Sequence, residues 1–359
     1  MPSLKVSRKS TGENVTYKCY VLDGSGFQGL RLEERNVPIS PESNDVLIDT
    51  KAVSLNYRDL MVAKGQYGDT KSSPIIAASD MSGVVAAVGA NVKEFKIGDR
   101  VLNSPIRGWH GGMIRAEWVR TVLGGAGIDG VLSEKFVYPS EALVKIPDHL
   151  NFLQAATLPI AGLTAWAAVV THGRAKPGHW VLLHGTGGVS IFAAQIAKAL
   201  GARVIMSTSS KEKGEFVRKK FGIDAIIDYQ DENWPKEVKK ITGGHGVDVI
   251  VETAGGVTLG RSVRACAYGA HIGVIGILAG NTSTFNVYDL MPKQITVRGI
   301  FMESTEELRA FSQAVEAGKI VPYIDKVFSF DQVSEAYHYL ESQKHIGKVV
   351  IDVDSEAKY

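Results

Sequence analysis

The sequence predicts an α/β protein of two domains, one β-rich and one built on a doubly wound parallel sheet. Three observations predict it. The chain has 359 residues, more than a single hydrophobic core usually serves. Up to about Asn151 it breaks into short β segments punctuated by Gly, Pro, Asn and Asp. From Val181 to about Gly280, apolar strand candidates alternate with helical stretches, the rhythm of a parallel sheet with crossover helices.

The elements follow in order. Val46–Ile48, Ser82–Val88 and Lys135–Val137 read as strands of the β-rich part, and Phe95-Lys96-Ile97-Gly98-Asp99-Arg100-Val101 ends one run in a turn before the next. Leu153–Val170 carries helical periodicity around Pro159 and Gly162. The alternating part offers strands at Val181–His184, Arg203–Met206, Ala225–Asp228, Val247–Glu252 and His271–Ile275. Helices at Ser190–Leu200 and Glu212–Phe221 lie between them. Two more helices, Ser304–Gly318 and one near Gln332–Ser342, precede a last strand at Lys348–Val353.

Composition narrows the function classes. Hydrophobic residues make up 45% of the chain, enough for real cores. With 40 basic and 38 acidic side chains the net charge is only +2, so nothing favours a nucleic-acid partner. The run Arg218-Lys219-Lys220 sits in a helical stretch and reads as a solvated face. The two cysteines, Cys19 and Cys266, are far apart and exclude both a disulfide framework and a cysteine-based structural zinc site. Met1–Ser10 lacks the apolar stretch of a secretory signal, and Ala357-Lys358-Tyr359 resembles a peroxisomal ending only loosely. Apolar runs such as Val247–Val251 are too short to span a bilayer. The expectation is a cytoplasmic protein with a small-molecule substrate and no membrane or nucleic-acid partner.

The chemistry begins at one loop. Gly185-Thr186-Gly187-Gly188-Val189-Ser190 joins an apolar strand to an apolar-faced helix. Gly185 permits a tight turn, Gly187 lets backbone approach a pyrophosphate, and the helix N-terminus offers free N–H groups and positive dipole. Ser190 replaces the usual third glycine and is small enough for close packing. The strand–loop–helix setting is what a Rossmann dinucleotide fingerprint requires. An NAD site usually carries an acidic residue about 20 positions past the first glycine. Here that window reads Met206-Ser207-Thr208-Ser209-Ser210-Lys211-Glu212-Lys213. Hydroxyls and lysines suit a 2′-phosphate, so the expected cofactor is NADP(H).

Several runs then line up. They are Leu55-Asn56-Tyr57-Arg58-Asp59-Leu60 before Gly65-Gln66-Tyr67, the Gly-Asp-Arg-Val turn, Ala156-Thr157-Leu158-Pro159 before Ala161-Gly162-Leu163-Thr164-Ala165-Trp166, Thr242-Gly243-Gly244-His245-Gly246-Val247-Asp248 and His345-Ile346-Gly347-Lys348-Val349-Val350. Together with the glycine loop they resemble the medium-chain dehydrogenase/reductase superfamily, in its zinc-free, quinone oxidoreductase-like branch. The resemblance implies a GroES-like catalytic domain (1–155 and 310–359) and an inserted Rossmann NADP(H)-binding domain (156–309), with the cofactor between them. It also implies a homodimer joined at a sheet edge near Ile295–Phe301.

Zinc-dependent relatives place a Cys near Asn56 and a Gly-His-Glu where this chain reads Ala78-Ser79-Asp80, so no metal is expected. By the same resemblance Asn56 lies beside the nicotinamide ribose, Thr164 at the nicotinamide end, and Tyr67 faces the substrate cleft, where it is the best candidate for catalytic proton donor or oxyanion partner. Ser209, Ser210 and Lys213 meet the 2′-phosphate, Tyr229 the adenosine end, and Gly276-Ile277 the nicotinamide amide. His345 and Lys348 reach toward the cofactor phosphates. A capping or turn role competes with the favoured cofactor role of Asn56, Tyr67 reads equally as a packing aromatic, Trp109 and Trp118 fill a small lobe in preference to walling the substrate pocket, and His110 reads as a loop histidine rather than a catalytic acid. The implied activity is hydride transfer to a conjugated carbonyl. A zinc-free alcohol dehydrogenase or carbonyl reductase, and a non-catalytic NADPH-binding protein, stay open as alternatives.

Overall fold

A computed structural model describes residues 13–67, 74–125 and 127–354. The segments read above for targeting, 1–10 and 357–359, lie outside them. The β-rich part holds eight strands: β1 (Asn14–Leu22), β2 (Arg31–Pro38), β3 (Asp45–Leu55), β4 (Ile75–Ile76), β5 (Asp80–Val88), β6 (Arg100–Asn103), β7 (Lys135–Pro139) and β8 (Leu143–Lys145). The alternating part adds β9 (Trp180–His184), β10 (Arg203–Ser207), β11 (Ala225–Ile227), β12 (Val247–Glu252), β13 (Cys266–Val274) and β14 (Thr296–Gly299). After these come β15 (Ile324–Ser329) and β16 (Lys348–Asp352).

The second group forms one sheet in the order β11-β10-β9-β12-β13-β14, every pairing parallel. All five residues of β9 are buried, which is why it reads as a continuous apolar run rather than an alternation. Chain direction across the sheet reverses between β9 and β12, the switch point where open α/β sheets bind ligands at the carboxyl ends of their strands. The glycine loop leaves β9 there.

The first group makes a hairpin sheet, β2-β1-β4, and a larger sheet in the order β15-β16-β3-β5-β6-β8, with β7 on β3. β16 pairs with the second half of β3, Val349 opposite Leu55 and Ile351 opposite Val53. The chain therefore returns from the parallel sheet to finish the first one. The boundary expected at residue 310 falls inside the helix Thr305–Gly318. Leu308, Phe311 and Val315 of that helix pack in one core with Leu102 and Val144 of the β part and Phe192 and Val181 of the parallel part.

Some elements escaped the sequence reading. The helices Trp234–Ile241 and Gly256–Ala265 were not singled out, and the second opens on Gly256 in the left-handed region (φ 48°). The β1–β2 hairpin was also missed. Leu153–Val170 is helical as expected, but wide turns at Leu158–Gly162 and Ala167–Thr171 flank a short regular piece. Pro159 supplies no N–H there, and a Cβ on Gly162 would come within 2.5 Å of the Phe311 ring. Trp109 and Trp118 stack with centroids 6.5 Å apart, and with Ile106, Val122, Ile160 and Met302 they fill a small lobe. No helix among the described residues is long and apolar enough to cross a membrane.

Candidate functional site

The carboxyl ends of β10, β9 and β12 carry Ser207, His184 and Glu252, and the glycine loop begins directly after His184. Gly185 takes φ 73°, which the turn out of β9 requires, and its N–H donates to Ser207 O at 2.9 Å. Gly187 caps the twelve-residue helix Gly188–Ala199. Ser190 is buried, and its hydroxyl donates to His184 O at 2.7 Å. The small residue thus closes helix against strand, as its place in the motif suggested.

Above this loop runs a cleft of about 330 Å³. The loop residues Gly185, Thr186, Gly187, Gly188 and Val189 form one wall. Ser209, Ser210, Lys213 and Tyr229 form the far end, and His345 lies on the chain segment that crosses it. A Cβ added to Gly185 or Gly187 would meet nothing within 4 Å, so loop backbone faces open space, as a diphosphate cradle must. The cleft therefore fits a dinucleotide. Ser210 caps the helix Lys211–Phe221, accepting from Lys213 N–H at 3.2 Å, and Ser209 Oγ lies 2.9 Å from Tyr229 Oη. Lys213 Nζ donates to Gln343 O (2.8 Å) and His345 O (3.1 Å), and burial lowers its pKa. No carboxylate is among the described residues lining the cleft.

Glu252 is fully buried behind that wall. Its Oε1 accepts from the Ala254 and Gly255 N–H groups, both at 3.1 Å, and from Thr258 Oγ1 at 2.8 Å. Its Oε2 accepts from Ser262 Oγ at 2.5 Å and lies 3.3 Å from His184 Nε2. Burial acts to raise its pKa, but the His184 charge and these donors outweigh it and hold the carboxyl at about 2.

A second buried cluster surrounds Asn56 and Lys348. Asn56 stands at the N-cap of the helix Tyr57–Ala63, and its N–H donates to Asp59 Oδ2 at 2.7 Å, so the capping reading is realised. Its side chain accepts from Lys348 Nζ at 2.7 Å, while its own amide nitrogen has no partner. Lys348 departs from the expectation of a phosphate contact. It is 3% exposed, and its amine is committed to Asn56 and, at 2.5 Å, to Leu55 O. The reason is steric and electrostatic. Its stem passes under Gly188, where an added Cβ would lie 2.5 Å from Lys348 Cδ, and the amine is drawn in by buried Asp80 and Asp59. Burial lowers the Lys348 pKa to about 8 against the pull of those carboxylates. Burial likewise raises Asp80 to about 6, opposed by Lys348 and the Ile160 N–H.

The remaining residues scatter around these two groups. Thr164 is buried, its hydroxyl unpartnered. Gly276 packs so closely that a Cβ would fall 2.2 Å from Thr253 O, and Ile277 is exposed beside Leu278 at the cleft rim. Tyr67 does not line the dinucleotide cleft. Its ring takes the Arg58 guanidinium at 4.8 Å, and Arg58 is itself held by Leu123 O at 3.0 Å. His110 lies 3.1 Å from Glu141, a loop contact. Sequence reasoning missed Tyr57, Thr253, Leu278, Leu340 and Gln343 as cleft residues. Only Tyr57, adjacent to Asn56, offered a signal.

Comparison with known proteins accords with this geometry. Residues 42–148 match the alcohol dehydrogenase GroES-like domain and residues 188–317 the zinc-binding dehydrogenase family. The chain is 39% identical to the zinc-type alcohol dehydrogenase-like protein of Schizosaccharomyces pombe, over 92% of this chain and 97% of that one. It is 28% identical to the quinone oxidoreductase of Homo sapiens, over 95% and 99%. Among solved structures, an NAD-dependent alcohol dehydrogenase superposes with TM-score 0.82 at 31% identity, over 94% of this chain and 99% of that one. The 2-octenoyl-CoA carboxylase reductase CinF, solved with NADP and 2-octenoyl-CoA, superposes with TM-score 0.85 at 25% identity, over 96% and 89%. With two domains matched in order and the sheet, switch point and glycine loop in place, the chain belongs to the medium-chain dehydrogenase/reductase superfamily, in its quinone oxidoreductase-like branch, and is an oxidoreductase.

Proposed function

We propose that the chain is a zinc-independent, NADPH-dependent oxidoreductase that transfers hydride to a conjugated carbonyl, a quinone or an enone. The observation that carries the cofactor choice is the far end of the cleft. Ser209, Ser210, Lys213 and Tyr229 converge there and no carboxylate lines it among the described residues, so a 2′-phosphate meets donors and no repulsion. Bound nicotinamide supplies the hydride. The loop Gly185–Val189 holds the diphosphate, and the helix it opens adds positive dipole. Lys213→Glu reverses the charge at that end. NADPH affinity is expected to fall by about 10²-fold or more, as charge-assisted contacts become repulsion, while NADH affinity changes little. Tighter binding of NADH than of NADPH by the parent protein would end the NADP(H) assignment.

Zinc independence is supported by the ligand positions themselves. By the resemblance, zinc relatives carry a Cys at Asn56 or its neighbours and a Gly-His-Glu where this chain reads Ala78-Ser79-Asp80, and the described residues hold no group of three or more His, Cys, Asp or Glu able to bind a metal. The quinone oxidoreductase relative and CinF, solved with an unsaturated acyl-CoA, support the conjugated substrate. The alcohol dehydrogenase-like relatives, at 39% and 31% identity, support simple carbonyl reduction as a second reading. A panel of NADPH-oxidation assays with quinones, enones and aldehydes, run with and without chelator, separates the two. Turnover of aldehydes alone favours the second reading, and tight NADPH binding without any turnover favours a non-catalytic protein. Tyr67 is the proposed proton donor to the substrate oxygen, and Tyr67→Phe is expected to lower kcat about 10²-fold in the same assays.

The proposed homodimer has support at the sheet edge. β14 pairs only with β13 among the described strands and is exposed along its length, and Val287, Tyr288 and Met291 beside it are more than 60% exposed. Sedimentation at the mass of two chains is the check.

A further inference from the structure

His345 stands where the last part of the chain crosses the cofactor cleft. It lines the cleft with Ser209, Ser210 and Lys213, and its main-chain carbonyl accepts from Lys213 Nζ at 3.1 Å. Two residues later Gly347 N–H donates to Thr186 O at 2.9 Å, so the segment is pinned at both ends, to the lysine and to the glycine loop. The imidazole is held between them. Its Nδ1 is buried and makes no hydrogen bond to the protein, so no partner there commits the ring to one protonation state.

Charged and titratable neighbours face it from every side. Lys213 comes from the helix Lys211–Phe221, Lys348 from β16 and Asp325 from β15, and the Tyr339 ring of the helix Val333–Glu341 lies 6.4 Å away. Burial first, then the two lysines, hold the ring neutral with a pKa of about 4, against the pull of Asp325. Toward an NADH ribose, which carries no charge, nothing draws a proton onto the neutral imidazole. The same ring beside a phosphate monoester, which carries about −1.5 to −2 charge at neutral pH, sits in a field of opposite sign.

We propose that His345 is a specificity-determining residue for NADPH over NADH, taking up a proton from solvent when a 2′-phosphate enters beside Lys213 and donating a hydrogen bond to it. The inference rests on the NADP(H) reading above and deepens it. The added proton makes the preference for NADPH pH-dependent. By linkage, one proton bound only in the NADPH complex strengthens that complex up to about tenfold per unit fall in pH, between the ring's pKa in the complex and its low free value.

The test is calorimetric titration of NADPH and of NADH into the parent protein and His345→Gln, across pH 5.5–8, in buffers of different ionisation enthalpy. With NADPH, the parent is expected to take up more protons than His345→Gln, the excess growing toward the acidic end. With NADH the two proteins should behave alike, which also shows that the variant is folded, and His345→Asn supplies a second variant. Ring and phosphate titrate as a coupled pair, so the difference between parent and variant counts the protons that the ring adds to the pair. Equal proton uptake by parent and variants with NADPH overturns the proposal. An equal excess with NADH also overturns it, because the charge sensed would then be the diphosphate. If instead the parent binds NADH as tightly as NADPH at every pH, the NADP(H) reading fails, whatever the proton count.

Discussion

Replacing Glu252 with alanine is expected to cost the fold several kcal/mol, because each buried donor left without an acceptor costs about 1–3 kcal/mol. The carboxylate satisfies two main-chain N–H groups and the hydroxyls of Thr258 and Ser262, and it faces His184, all in the interior. Alanine removes the acceptor of both main-chain N–H groups and of the Ser262 hydroxyl, while the Thr258 hydroxyl keeps Gly255 O at 2.6 Å. The effect also has a pH signature. The folded carboxyl titrates at about 2 against an ordinary 4.5, so its contribution is fully present above 4.5 and is lost as the pH falls through 2. Urea denaturation should therefore show a large gap between parent and Glu252→Ala at neutral pH that closes in acid. A constant gap at every pH would mean the residue stabilises by packing alone.

Lys348→Met is expected to have a comparable effect, about 3–5 kcal/mol, for the opposite charge. Methionine keeps the stem that packs beneath Gly188 but strips the cation from a pocket holding Asp80 and Asp59, both at most 1% exposed. Asp80 already titrates at about 6, above its ordinary 3.8, because burial disfavours its charge; without Lys348 it climbs further. A raised folded pKa means the folded variant holds a proton that the unfolded chain gives up. The deficit should then widen as the pH rises above the Asp80 pKa of about 6 and narrow as it falls back to it. Adding Asp80→Asn should return part of the loss, since the two act as a pair. Full additivity of the two substitutions in denaturant unfolding would refute the coupling.

Much of the architecture was legible because it rests on local patterns. β9 and β12 announce themselves as apolar runs, and the loop Gly185–Val189 needs glycines where φ is positive or backbone must stay open. The window Ser207–Lys213 shows its hydroxyls and lysine directly, and the fold then brings Ser209, Ser210, Lys213 and Tyr229 to one end of a cleft. The helix Gly256–Ala265 was illegible because its interior Gly260 and opening Gly256 depress helix propensity; tertiary packing, with Thr284 O only 2.7 Å from where a Gly260 Cβ would lie, decides it. The polar clusters were illegible for another reason. Glu252 and His184 each end an apolar strand and look like strand termini until parallel pairing sets β12 beside β9. Lys348 looks like a surface lysine at a strand start until β16 lies against β3, 292 positions away from the Asn56 it bonds. Partners that distant are set by sheet order, which no local spacing encodes.

The pairing of β16 with β3 also bears on how the molecule is made. β16 is the central link between β15 and β3, and Phe328, Val333, Tyr337, Val349 and Ile351 belong to the same core as Val46, Val53 and Met81. On a ribosome, the first half of that core emerges long before the second. The parallel sheet, contiguous from β9 to β14, has all its strands while β3 still lacks its neighbour. Domains generally fold as units during synthesis. Here the order is inverted: the domain translated second is equipped to fold first, and the one translated first waits with an unpaired strand edge for the last strand to arrive. That interval is when the nascent chain is most exposed to wrong pairings.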